Sequence, residues 1–233
     1  MLILAFESSA KPASVAVCSD GKLLGQYFQN SGLTHSRTLL SMADSLLTNL
    51  EISAGNIDLV AVSRGPGSFT GVRIGVSTAK GFAWGLDVPV CGVSALEAMA
   101  FQAGDGLSLA VPLLCPVMDA RRGQVYNAIF EMKDSTPSRL CGDRAISLED
   151  LSAELTDYGE PCLLIGDGAD MSYDFLAKAG VDCRTAPCLL RWQTAYGVAL
   201  AAAVSDSIPA IELEPFYLRP SQAERELAER ELR

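Results

Sequence analysis

The chain has 233 residues, 49 % of them hydrophobic and 20 % charged, and carries a formal net charge of −10. That length can bury a full core in one large domain or two smaller ones. The acidic balance argues against tight direct binding of nucleic acid, which needs clustered Lys and Arg to neutralise phosphates.

In chain order, Leu2 to Phe6 is a short apolar run that predicts a buried strand. Strands from Ser14 to Ser19 and Lys22 to Gln29 follow, separated by Asp20-Gly21, a strong hairpin signal. Thr34 to Leu50 predicts a helix whose apolar set is wider than one ordinary face, so it should bury two sides. A strand at Ile57–Ser63, a helix at Phe69–Gly85, a strand at Val88–Gly92 and a helix from Ser94 to about Gln102 come next; Ser94 and Glu97 have capping-box spacing. The second half repeats the order imperfectly. Strands are expected at Ala110–Met118, Gln124–Glu131 and Arg139–Ile146, and a helix capped by Ser147 runs to about Leu155. A strand at Cys162–Ile165 and helices at Asp170–Ala179 and Trp192–Val204 complete it. Ser221 to Arg233 has the composition of a helical tail. Three meander strands followed by crossovers give an α/β fold with mixed sheets. Two degenerate β-β-β-α-β-α repeats are the pattern of the actin-like ATPase, ribonuclease H-like, architecture. The expected boundary lies in the Gly/Asp/Ser-rich link Gly104–Ser108, dividing the chain into 1–104 and 105–233.

The most constrained stretch is Gly65-Pro66-Gly67-Ser68-Phe69-Thr70-Gly71-Val72-Arg73-Ile74-Gly75. It lacks the Lys-Ser or Lys-Thr of a Walker loop, and its last glycine gap is one residue too long for a dinucleotide fingerprint. Ser68 or Thr70 can cap the helix that follows. In that helix Gly71, Gly75, Ala79 and Ala83 form a stripe almost without side chains. Such a stripe predicts close backbone approach, either to the protein's own sheet or to another helix, internal or from a second chain. Arg73, Ser77, Lys80 and Trp84 share another stripe, either a polar contact surface or a solvated face.

This glycine-rich stretch resembles the signature of the TsaB family. The resemblance extends over Ile3-Leu4-Ala5-Phe6-Glu7-Ser8-Ser9, Asp119-Ala120-Arg121-Arg122-Gly123-Gln124-Val125-Tyr126 and Pro215-Phe216-Tyr217-Leu218-Arg219, and so covers nearly the whole chain. It implies a non-catalytic scaffold in the synthesis of threonylcarbamoyladenosine in tRNA. Such a scaffold pairs with the TsaD transferase, helps recruit the TsaE ATPase, and forms a homodimer when TsaD is absent; tRNA is contacted only indirectly. The implied interface lies on the two N-terminal helices, at Leu39, Leu40, Ala43, Leu46, Leu47, Gly71, Gly75, Thr78, Ala79 and Phe82.

In an actin-like fold phosphates lie between two turns. Here these would hold Glu7, Ser8 and Ser9, and then Asp119 and Arg121, with Gly166 and Gly168 near an adenosine. The first turn has no glycine for close backbone approach and the second carries two arginines, so the cleft reads as eroded. The expectation is a vestigial site with no resident cofactor, and at most weak or interface-dependent ATP or ADP with Mg. Glu7 and Asp119 are alternatively backbone-bonding groups. His35 cannot by itself supply the paired imidazoles of the metal-binding helix that TsaD carries, and no metal ligand set is evident. No nucleophile context supports the glycoprotease-like alternative; the other rival is a kinase-like ATPase of the same fold. The seven cysteines lack Cys-x-x-Cys spacing, and the first residues run straight into a strand without a basic leader. With no apolar run of membrane length, the reading is a cytoplasmic protein with reduced core thiols and no membrane contact.

Overall fold

The computed structural model describes residues 1–107, 111–133 and 136–219. The expected tail helix 221–233 lies outside the described residues. The first sheet contains β1 (Leu2–Glu7), β2 (Ala13–Ser19), β3 (Lys22–Gln29), β4 (Leu59–Ser63) and β5 (Val90–Val93), in the order β3-β2-β1-β4-β5. β1, β2 and β3 pair antiparallel, whereas β4 runs parallel to β1 and β5. At the hairpin between β2 and β3, Asp20 and Gly21 both take positive φ, as a two-residue turn requires. Helices α1 (His35–Asn49), α2 (Phe69–Leu86) and α3 (Ala95–Leu107) follow their strands.

The second sheet repeats this scheme. β6 (Leu113–Asp119), β7 (Gln124–Asn127), β10 (Arg144–Ser147), β11 (Cys162–Ile165) and β12 (Cys183–Thr185) lie in the order β10-β7-β6-β11-β12. β8 (Phe130–Lys133) and β9 (Thr136–Arg139) form a side hairpin on β6. The single strands expected at 124–131 and 139–146 are each split. The interruption at Ala128–Ile129 lets β6 pair with β7 at one end and with β8 at the other. Helices α4 (Leu148–Tyr158), α5 (Ala169–Lys178), α6 (Cys188–Arg191) and α7 (Ala195–Ala202) complete the set.

Alternation along the strands builds four core clusters and a layered molecule. Leu4, Phe6, Val15 and Val17 face α1 and α2. On the opposite face Ala5, Ala16 and Ala61 leave room for α7, which is buried nearly all round. α3 packs against α7 and also turns Leu96, Met99, Ala100 and Ala103 onto the second sheet. The outer face of that sheet is covered by α4 and α5. Two sheets therefore share a central helix pair, α3 and α7. Gly197 of α7 lies so close to α3 that an added Cβ would stand 2.2 Å from the Ala98 carbonyl.

Four local expectations change. α3 continues past Gln102 to Leu107, because Gly104 packs in the helix against Met132 and Pro137 rather than opening a link. The helix expected at 192–204 is the shorter α7, preceded by a separate turn, α6. Thr34 makes no side-chain cap, whereas Ser68 accepts from Gly71 N–H at 3.3 Å and Ser147 accepts from Asp150 N–H at 3.0 Å. Ser94 caps α3 by accepting from the N–H groups of Leu96 and Glu97. The Glu97 carboxylate does not close the box but pairs with Arg139 at 3.5 Å.

Candidate functional site

The parallel pairing of β1 with β4 brings Glu7 beside Ser63 at the carboxyl end of the sheet, where ligands of open α/β sheets bind. Glu7 is fully buried, and its Oε1 accepts from Ser9 N–H at 2.6 Å. Its Oε2, Ser9 Oγ and Ser63 Oγ have no hydrogen-bond partner among the described residues. Burial pushes the Glu7 carboxyl up from its ordinary value, opposed by the nearby polar groups of Ser9, Ser63 and Ser8. Ser8 Oγ donates to the Gly71 carbonyl at 2.9 Å, and Ser9 carbonyl accepts from Ser68 N–H at 2.6 Å. The first turn is thus pressed against the Gly65–Gly67 loop, which contains a cis Gly65–Pro66 peptide. An added Cβ on Gly67 would stand 2.2 Å from the Ser9 carbonyl.

The second turn is more open. Asp119 is exposed, and its Oδ1 accepts from Arg121 N–H at 2.7 Å. Arg121, Arg122 and Gly123 take φ of 63°, 56° and 73°, three successive left-handed residues. Gly166 and Gly168 pack on the end of β6, and Gly168 N–H donates to the Val117 carbonyl at 3.1 Å. Between them Asp167 accepts from Gln193 Nε2 at 3.1 Å, and burial raises its carboxyl pKa. Asp119 and Lys11 lie within electrostatic reach of Asp167. The structure therefore links Asp119, Arg121, Gly166 and Gly168 around β6. Glu7, Ser8 and Ser9 form a separate cluster under the glycine loop. Among the described residues no group of three or more His, Cys, Asp or Glu side chains is placed to hold a metal ion.

The helices present three different faces. Gly71, Gly75 and Ala79 of α2 are buried inward: a Cβ on Gly71 would meet the Ser8 carbonyl at 2.1 Å, and one on Gly75 would meet Ser8 Oγ at 2.4 Å. Leu39, Ala43, Leu46 and Leu47 of α1 are in the first-sheet core. These expected interface residues are internal packing, because the sheet itself is the surface that the small stripe approaches. Leu40 is 59 % exposed, and Thr78 and Phe82 are half-buried. The stripe Arg73–Ser77–Lys80–Trp84 contacts the returning chain rather than solvent alone. Lys80 Nζ donates to the carbonyls of Ile211 and Leu213, and Arg73 Nε donates to Tyr217 Oη. The third face carries Thr70, Ile74, Thr78, Gly81 and Gly85. A Cβ on Gly81 or Gly85 would meet nothing within 4 Å, and Trp84 next to them is 74 % exposed. The two-sided burial expected of α1 is not found, since its buried residues form one face, and periodicity does not say which stripe of α2 lies inside.

The model of the TsaD family, tRNA N6-adenosine threonylcarbamoyltransferase, matches residues 29–180. A Haemophilus influenzae protein named tRNA threonylcarbamoyladenosine biosynthesis protein TsaB is 30 % identical over 248 aligned positions, covering 99 % of this chain and 99 % of its own. A Bacillus subtilis protein of the same name is 33 % identical over 168 residues, 71 % of each chain. Among solved structures, YeaZ from Pseudomonas aeruginosa superposes with a TM-score of 0.74 at 22 % identity, over 93 % of this chain and 99 % of its own. The ROK hexokinase of Thermus thermophilus superposes at 0.50 and 11 % identity, over 88 % and 98 %, and carries the same actin-like architecture. With its glycine loop, its duplicated sheets and a match along its full length, the chain belongs to the TsaB family.

Proposed function

We propose that this protein works in tRNA threonylcarbamoyladenosine biosynthesis as a non-catalytic scaffold. In this reading it pairs with a TsaD transferase subunit through the exposed face of α1 and α2, helps to recruit a TsaE ATPase, and uses the same face for a homodimer when TsaD is absent. The observation that carries the reading is the open position of Gly81 and Gly85 on either side of exposed Trp84 in the sequence of α2, with Leu40 of α1 also exposed. Glycine in a solvated helix interior costs up to about 1 kcal/mol relative to alanine, with no contact in the isolated chain to offset it. An apposed helix from a partner would use that space, since interaxial distance is set by the side chains at the contact. The sealing of Glu7 by Ser9 supports the non-catalytic half, because a fully buried carboxyl of raised pKa is poorly suited to holding a metal–phosphate group.

The test is light scattering after size exclusion, with the protein alone and mixed with its TsaD relative. Wild type should exchange from a homodimer into a one-to-one heterodimer. Gly81→Leu should lose both assemblies while keeping its circular dichroism, and survival of both unchanged would overturn the assignment of this face. Titration with ATP and Mg2+ should give no saturable heat. Saturable heat that disappears in Asp119→Ala would instead make the chain a nucleotide enzyme.

A further inference from the structure

The motif Pro215–Arg219 has no part in the reading above, and the structure gives it a definite place. After α7 the chain returns to the first sheet, where Ile208 and Val90 exchange backbone hydrogen bonds of 2.8 and 2.9 Å at the edge of β5. It then crosses α2. Lys80 Nζ holds the carbonyls of Ile211 at 3.1 Å and Leu213 at 3.0 Å, and the Leu213 side chain is buried against Gly92. Phe216 N–H donates to the Arg64 carbonyl at 2.7 Å. The Phe216 carbonyl fills the space where a Gly65 Cβ would stand, 2.2 Å away, so this segment adds to the demand for glycine that the Gly65 φ of 121° already makes. The Tyr217 ring stacks on Phe69 with centroids 4.8 Å apart. The Arg73 guanidinium lies 3.8 Å from the Phe69 centroid while its Nε donates to Tyr217 Oη at 2.9 Å. Finally Arg219 Nη1 reaches the Ala120 carbonyl of the β6–β7 turn at 3.1 Å.

We propose that Leu213–Arg219 is a strap that sets the pose of the first turn of α2 through the Arg73–Tyr217–Phe69 contact, and thereby tunes affinity at the partner face. The second half of this inference rests on the partner reading given above. Phe69 and Arg73 each neighbour a residue of the third face, Thr70 and Ile74, so a change in the first turn displaces that face directly. Phe216 and Tyr217 remain 38 % and 37 % exposed. Each ring is still more than half buried, so its removal costs some stability, concentrated in this surface segment. Arg73 and Tyr217 are positioning residues in this scheme.

Hydrogen exchange of the isolated protein and binding to the TsaD relative test it together. In Tyr217→Ala the amides of residues 72–76 should exchange about tenfold faster, as expected from losing one hydrogen bond and one ring stack. The denaturation midpoint should fall only modestly, by less than the local effect at residues 72–76, and affinity for TsaD should fall by a similar factor, about tenfold. Tyr217→Phe keeps the stack without the hydroxyl and should fall between; Arg73→Ala should match Tyr217→Ala. Unchanged exchange in Tyr217→Ala would overturn the strap. Faster exchange with unchanged TsaD affinity would overturn its coupling to the partner face. If wild type fails to bind TsaD, the scaffold reading fails, while the exchange result still decides the strap.

Discussion

Alanine at position 71 of α2 would place its methyl 2.1 Å from the Ser8 carbonyl, whereas alanine at 81 would meet nothing within 4 Å. Gly71→Ala should therefore destabilise the chain by about 1–3 kcal/mol through overpacking. Gly81→Ala should stabilise it by about 0.5–1 kcal/mol through helix propensity and reduced freedom of the unfolded chain. Urea denaturation of the two variants checks the opposite signs, and equal signs would contradict the assignment of inner and outer faces. Glu7 makes a pH prediction. Its carboxyl is raised in the folded state from an ordinary value of 4.5, so the unfolded chain loses this proton first as pH rises. Stability should fall from about pH 4.5 upward until the folded group itself titrates. In Glu7→Gln that slope should disappear, with a neutral-pH midpoint at least equal to wild type. A slope retained in Glu7→Gln would show that another group carries it.

At the scale of elements, the small-residue stripe of α2 was legible as a sign of close approach, whereas the two-sided burial expected of α1 is not found: Leu39, Met42, Ala43, Leu46 and Leu47 form one buried face and Leu40 is exposed. Which stripe of α2 served which neighbour was not legible. Helical spacing gives the relative angles of residues about an axis and is silent on the direction of the sheet. The close helix pair is instead α3 with α7, where Gly197 meets the Ala98 carbonyl. Gly197→Val should cost about 3 kcal/mol, because a rigid backbone carbonyl cannot yield as a flexible side chain can. Calorimetric unfolding checks this, and a loss of only a few tenths would mean that the pair is not closely packed in solution. The stripe Arg73–Ser77–Lys80–Trp84 shows the same limit. Its charges read equally well as a solvated face, yet two of them hold a segment about 130 residues or more away in sequence.

At the scale of the whole molecule, α7 packs on the first sheet, α3 packs on the second, and the two helices pack on each other. A large hydrophobic junction of this kind opposes independent movement of the two halves. Thermal unfolding should accordingly be one cooperative transition, coincident by tryptophan fluorescence and circular dichroism. Two resolved transitions would show that the halves fold as separate units. Rigidity also suits a protein that presents a fixed helical face better than one that closes over a substrate. Polar contacts add to the junction: Asp143 accepts from Ser94 Oγ and from Arg139, and Thr194 Oγ1 donates to Gln102 Oε1.

The order of strands and helices, the duplicated topology, the specified backbone of the glycine loop and the buried character of most cysteines follow from the sequence by itself. Each rests on a local signal: apolar period, turn residues or capping spacing. Five cysteines are buried, Cys141 is half-buried and Cys188 is exposed; burial raises the Cys18 and Cys162 thiols to about 12. Only the tertiary structure decided that the Gly71–Gly75 stripe turns inward, that Glu7 is sealed, that α7 returns to the first sheet and that Pro215–Arg219 lies across α2. These depend on contacts between residues far apart in the chain, such as Ser8 with Gly71 or Arg73 with Tyr217. Their free energy comes from the fit of two surfaces, and no periodicity within either segment encodes which surface it will meet.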